Sequence, residues 1–201
     1  MKLYYSPGAC SLAVHIVLNE LSSHFELVQV DLMTKLTQDG DDFTLINPQG
    51  RVPALMLDNQ EVLTESVAVL QFLADQHSAA GLVPENGTFE RARLHEILNF
   101  LSSDLHKAFG PLFIKCSDEV RQNTIELISS KFNYLNTVLS EKDYLVAGRY
   151  SVADIYLFVI AGWAEPMGIS LGDWPHLEAL MGRVFERTNV VKSMSEEGLL
   201  G

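Results

Sequence analysis

Cysteine is scarce in this chain of 201 residues. There are two, Cys10 and Cys116, too few and too widely separated to form a disulfide framework, which points to a reducing cytoplasm. Basic residues are also few. The 14 Lys and Arg face 26 Asp and Glu, for a formal charge of −12, and no block of Lys or Arg interrupts that balance. Such a charge repels nucleic acid and anionic lipid and excludes them as expected partners. Long apolar runs are missing, so no segment reads as a membrane span. Residues 1–18 do not read as a signal peptide, because Ser6-Pro7-Gly8 breaks their apolar start. There is no repeat period and no low-complexity tract. What remains is a chain with 47% hydrophobic residues, long enough to bury a real core.

The first third alternates strand and helix signals. Lys2–Tyr5 and Phe25–Val30 read as strands, with a helix over Ser11–Leu21 between them. Val52–Leu57 and Glu61–Thr64 read as a hairpin across Asp58-Asn59, and Glu65–His77 as a second helix. The order βαβ, then ββα, implies a small α/β layer with a mixed four-stranded sheet over residues 1–80. Residues 81–88 lie within a stretch of small residues, Gly and Pro and read as a linker. From Phe89 on, helical periodicity takes over, at about 89–110, 118–140, 152–163 and 175–187, so residues 89–201 read as an all-α bundle.

Several constellations carry chemistry. Cys10 opens the first helix, where unpaired N–H groups and the helix dipole are expected to lower a thiol pKa; a small buried thiol is the competing reading. In Asn47-Pro48-Gln49-Gly50-Arg51-Val52-Pro53, a cis bond before Pro53 would leave the Val52 backbone free for a peptide-like partner, with an ordinary proline-containing loop as the alternative. Glu65 and Ser66 begin the second helix and match the two ends of an α-amino acid head group, with a plain helix cap as the alternative. Leu94, Leu98, Leu101, Leu105 and Phe109 form an apolar seam. On another face Asn99, Ser103 and His106 form an uncharged polar stripe, with His106 a candidate proton carrier. Lys35 and Lys107 are candidate counter-charges for an anionic ligand. Ser151 and Asp154 have capping-box spacing and read as structural.

Taken together, MKLYYSPGACS, INPQGRVPAL, LTES, LNFLSSDLHKAF and GRYSVADIYLF, in that order, resemble the bacterial beta class of cytosolic glutathione S-transferases over essentially the whole chain. The resemblance implies a thioredoxin-like domain followed by a helical domain that carries the electrophile pocket. It implies a detoxifying transferase that conjugates glutathione, as co-substrate, to small hydrophobic electrophiles, with no permanently bound cofactor, no metal, and a homodimeric state. Cys10 then stands against the glutathione sulfur, as hydrogen-bond donor or as a nucleophile for thiol–disulfide exchange. Lys35 reaches the glycine end, Val52 pairs with the cysteinyl moiety, and Glu65 with Ser66 holds the γ-glutamyl head. Asn99, Ser103, Asp104 and His106 match the polar positions of the helical domain around the same cleft, His106 being the second catalytic candidate. A non-catalytic binding or regulatory protein on this fold is the alternative, and Cys116 matches no site of the family.

Overall fold

A computed structural model describes residues 1–200. The chain forms two compact units, Met1–Leu82 with Glu186–Gly201, and Val83–Phe185.

The first unit is built on four strands, β1 (Lys2–Tyr5), β2 (Glu26–Gln29), β3 (Ala54–Met56) and β4 (Val62–Thr64), in the order β2-β1-β3-β4. β1 runs parallel to β2, with Leu3 opposite Leu27, and antiparallel to β3, with Leu3 opposite Leu55. The parallel pair needs a crossover, and α1 (Ser11–Glu20) supplies it. β3 and β4 pair antiparallel as the predicted hairpin. α2 (Ser66–Gln76) returns from β4 and packs on α1. Leu3, Ile16, Leu18, Leu55, Leu70 and Leu73 are fully buried and form the centre of this layer. The mixed thioredoxin-like sheet expected from the sequence is therefore present; β1 has its expected bounds, and β2, β3 and β4 are shorter than their periodicity suggests.

The second unit holds α3 (Phe89–Asn99), α4 (Asp118–Val138), α5 (Val152–Ala161) and α6 (Pro175–Phe185). Every residue of α5 is buried, as its unbroken apolar sequence VADIYLFVIA requires of a central helix. The seam Leu94, Leu98, Leu101, Leu105 and Phe109 is buried throughout. It does not run on one uniform α-helix, however. Residues Phe100–His106 form a π-helical segment, a wider turn that side-chain periodicity does not announce.

One boundary requires correction. The sequence pattern assigns everything from 89 to 201 to the helical domain and ends its last helix at 187. A further helix, α7 (Thr188–Glu196), follows and packs on α1 in the first unit. The reason is polar complementarity. Glu20 accepts from Arg187 Nε at 2.7 Å and Asn189 Nδ2 at 3.1 Å, Asn19 donates to Ser193 Oγ at 2.8 Å, and Lys192 donates to Asn19 Oδ1 at 2.9 Å. These contacts replace the broad apolar stripe by which helices are usually recognised in sequence.

Candidate functional site

In the first unit, the turn after β1 carries Ser6-Pro7-Gly8-Ala9-Cys10 into α1. Ser11 braces it, its hydroxyl donating to Ser6 O at 3.3 Å and accepting from Ser6 N at 3.2 Å. Cys10 occupies the N-cap position of α1, yet its side chain makes no cap bond. Instead the thiol donates to the carbonyl oxygen of Val52, 3.3 Å away. The Val52-Pro53 peptide is cis, as expected from the sequence. The expectation that the Val52 backbone is left free is corrected for its carbonyl, which Cys10 occupies.

The expected lowering of the Cys10 pKa is also corrected. Burial pushes the thiol above its ordinary value of 9.0, and the negative charge of Glu65 adds to the rise. The Ser66 hydroxyl and the backbone amides of Cys10 and Ser11 pull the other way and do not prevail. Desolvation penalises the thiolate more than the helix terminus favours it, in line with the competing reading of a small buried thiol.

The structure thus brings Cys10, Val52 and Ser66 together. Glu65 adjoins them as the N-cap residue of α2, exposed, with no cap bond from its side chain and a φ of +69°. That left-handed conformation costs a non-glycine residue on the order of 1–3 kcal/mol and marks functional sites more often than ordinary turns. The plain-cap alternative for Glu65 is not what the structure adopts. Ser66 is 6% exposed.

Lys35 has a positive φ as well, +62°, and its Nζ donates to Gly50 O at 2.9 Å. It thereby ties the 31–37 connection to the loop that leads into Val52. Asn47 donates to Arg51 O at 2.7 Å and accepts from Gln49 N at 3.1 Å, closing the same loop from within. Gly50, at φ +59°, lies under the Lys35 stem. A Cβ there would meet Lys35 Cδ at 3.1 Å, so the turn needs glycine for its backbone and for the lysine.

In the second unit, the π-helical segment sets the polar stripe. Asn99, Ser103 and Asp104 are exposed, and the Ser103 hydroxyl contacts Asn99 O at 2.9 Å and Asp104 Oδ2 at 3.0 Å. Lys131 lies 3.4 Å from Asp104. His106 is half-buried, sharing a 2.8 Å hydrogen bond between Nδ1 and the hydroxyl of Tyr156 and standing edge-on to Trp163 at 4.9 Å between centroids. Burial holds its pKa below the usual imidazole value, which favours a neutral ring at pH 7. Tyr156 and Trp163, which fix this ring, were not singled out as partners of His106; nothing in their spacing reveals a contact fifty residues away.

Near the end of the second unit, Ser151 and Asp154 form the predicted capping box at the start of α5. The buried Asp154 carboxylate also accepts from Leu145 N at 2.8 Å. Burial raises its pKa to about 6 despite those donors. Among the described residues there is no cluster of three or more His, Cys, Asp or Glu placed to hold a metal, and no helix long and apolar enough to cross a membrane.

Comparison with known proteins agrees with this geometry. Residues 8–76 match the glutathione S-transferase N-terminal domain and residues 100–188 the C-terminal domain of the same enzymes. Glutathione S-transferase GstA of Escherichia coli O157:H7 is 41% identical over 200 residues, covering 99% of this chain and all of GstA. The bacterial beta-class glutathione S-transferase of Sphingomonas chungbukensis superposes with a TM-score of 0.97 at 46% identity, covering both chains completely. A sphingomonad glutathione S-transferase solved in complex with glutathione gives a TM-score of 0.96 at 45% identity, over 99% of this chain and 100% of its own. The chain belongs to the glutathione S-transferase family, in its bacterial beta class.

Proposed function

We propose that this glutathione S-transferase binds reduced glutathione against the Cys10–Val52–Ser66 corner and conjugates it to small hydrophobic electrophiles. The observation that carries the proposal is the convergence of the Cys10 thiol, the Val52 carbonyl and Ser66 where two helices begin. An extended peptide bearing a carboxylate and an ammonium at one end has matching partners there. Ser66, with the N-terminus of α2, takes the γ-glutamyl carboxylate. Glu65 takes the ammonium, and Lys35 is assigned to the glycine carboxylate.

The chemistry follows from the Cys10 environment. A thiol whose pKa is raised is a donor at neutral pH, not a standing nucleophile. When glutathione pairs its cysteinyl N–H with Val52 O, the Cys10 S–H gives up that carbonyl and turns its hydrogen bond to the glutathione sulfur. This favours loss of the glutathione thiol proton to solvent; the thiolate attacks the electrophilic carbon, a C–S bond forms and the leaving group departs with its electron pair. Asn99, Ser103, Asp104 and His106 are assigned to contacts with bound glutathione, His106 as a neutral imidazole able to share a proton. Thiol–disulfide exchange through Cys10 is secondary in this account, because it needs the thiolate that burial disfavours. A homodimer in the cytoplasm and a role in detoxification complete the proposal, on the strength of the family resemblance and the sequence composition.

The test is conjugation of reduced glutathione to a panel of aryl halides and epoxides by the purified protein, with Cys10→Ala alongside. Turnover by the wild type, with Cys10→Ala slowed but still active, is expected. A folded wild-type protein that turns over no member of the panel would sink the proposal.

A further inference from the structure

The Cys10 turn is held from a distant part of the sequence. Glu197, immediately after α7, has a side chain with no exposed surface. Its two oxygens are divided between two partners. Oε2 accepts from the backbone N–H of Gly8 at 3.0 Å, and Oε1 lies 3.0 Å from Nδ1 of the fully buried His15 on α1. His15 Nε2 meets Glu196 Oε2 at 2.8 Å, and Asn19 Nδ2 donates to that oxygen from 3.0 Å. His15 thus bridges the buried Glu197 carboxylate and the partly exposed Glu196 carboxylate, one through each ring nitrogen. Gly8 lies two residues before Cys10 with φ +69°, and a Cβ placed on it would stand 3.4 Å from Leu199 Cδ2. Residues 197 and 199 therefore grip the turn by a charge-assisted hydrogen bond and by an apolar side chain.

A purely structural tie between α7 and α1 does not need this arrangement. The Glu20–Arg187, Glu20–Asn189 and Asn19–Ser193 pairs already join the two helices. None of them reaches the Ser6–Cys10 turn. Beyond α7, Leu199 reaches it by apolar contact, and Glu197 reaches it with a buried carboxylate on a backbone amide of the loop that aims Cys10 at Val52.

We propose that Glu197 is a positioning residue for the reaction: through Gly8 and His15 it fixes the turn so that the Cys10 thiol points at Val52 and, with substrate present, at the glutathione sulfur. This rests on the reading of that corner as the glutathione site. The groups facing the Glu197 carboxylate are the Gly8 amide of the turn, Tyr5 of β1 and His15 of α1; Glu196 of α7, on the other nitrogen of His15, is met in turn by Asn19 and Lys192.

The test measures Cys10 alkylation by iodoacetamide against pH, and KM and kcat for reduced glutathione, all in a Cys116→Ser background with folding verified by circular dichroism. Losing a charged hydrogen-bond partner at a buried amide corresponds to about a tenfold effect. Glu197→Ala is expected to raise the glutathione KM about tenfold and to shift the Cys10 alkylation profile, with kcat changed less. Glu197→Asp, one carbon shorter and still charged, gives the same directions with smaller size and decides the matter where the alanine variant does not fold. Glu197→Gln keeps an acceptor for Gly8 without the charge and is expected to fall between the alanine variant and the wild type. A folded Glu197→Ala or Glu197→Asp protein with wild-type alkylation and wild-type KM would overturn the proposal. Alkylation needs no glutathione, so a wild-type protein that fails to bind glutathione overturns the functional reading while the alkylation arm still decides this one.

Discussion

Two helix starts in this molecule are built on opposite plans. At the start of α5, Ser151 and Asp154 close a capping box, and every polar group on show is spent on the fold itself. At the starts of α1 and α2, the N-cap residues Cys10 and Glu65 offer no side-chain cap. Cys10 turns to a carbonyl across the sheet edge, and Glu65 adopts a left-handed backbone with its carboxylate exposed. A helix start normally satisfies its orphan N–H groups at once, and α3 and α4 do so through Thr88 and Ser117. Among α1 to α5, the two that do not are the two that meet at the proposed glutathione site. Stability and binding use the same local chemistry, and the difference lies in whether the cap comes from the chain or from the ligand.

That contrast can be broken from either side. The largest effect is expected at Asp154→Ala, which strips the acceptor from the amides of Leu145 and Ser151 and should lower unfolding stability by about 3 kcal/mol. Chemical denaturation measures it; glutathione affinity should not move. Asp154 also imposes a pH signature. Its folded pKa, about 6, lies above the ordinary 3.8, so the native state holds the proton more tightly. Its contribution is therefore fully present below about pH 4 and is lost as pH rises to about 6, a change on the order of 3 kcal/mol. Stability curves of Asp154→Asn should lack that slope. On the other side, Ser66→Ala should weaken glutathione binding about tenfold, the worth of one charged hydrogen bond, with stability nearly unchanged. The smallest effect is Ser151→Ala, about 1 kcal/mol of stability by loss of the cap, read by thermal melting.

These two plans differed in how far they could be read from sequence. The Ser151–Asp154 box is a local signal, three residues apart, and the structure matches it. The seam from Leu94 to Phe109 was legible because burial follows spacing on any helix, even one that widens into a π turn. The protonation of Cys10 was not legible. Its helix-terminal position argued for a thiolate, and the opposing desolvation depends on packing contributed from far along the chain. The π-helical segment under Ser103 and His106, the last helix α7 and the Glu197–Gly8 bond share that character: each depends on partners whose separation no periodicity encodes. Lys35 was picked out for its charge, whereas its observed contact is with the Gly50 carbonyl of the loop before Val52.

The central claim is that the uncapped corner, and not the capped one, takes glutathione. Calorimetric titration of reduced glutathione into the wild type, Ser66→Ala and Ser151→Ala tests it directly. The account predicts binding by the wild type, affinity lower by about tenfold in Ser66→Ala, and wild-type affinity in Ser151→Ala. Absence of binding to the folded wild type, or equal affinity in Ser66→Ala, would contradict it.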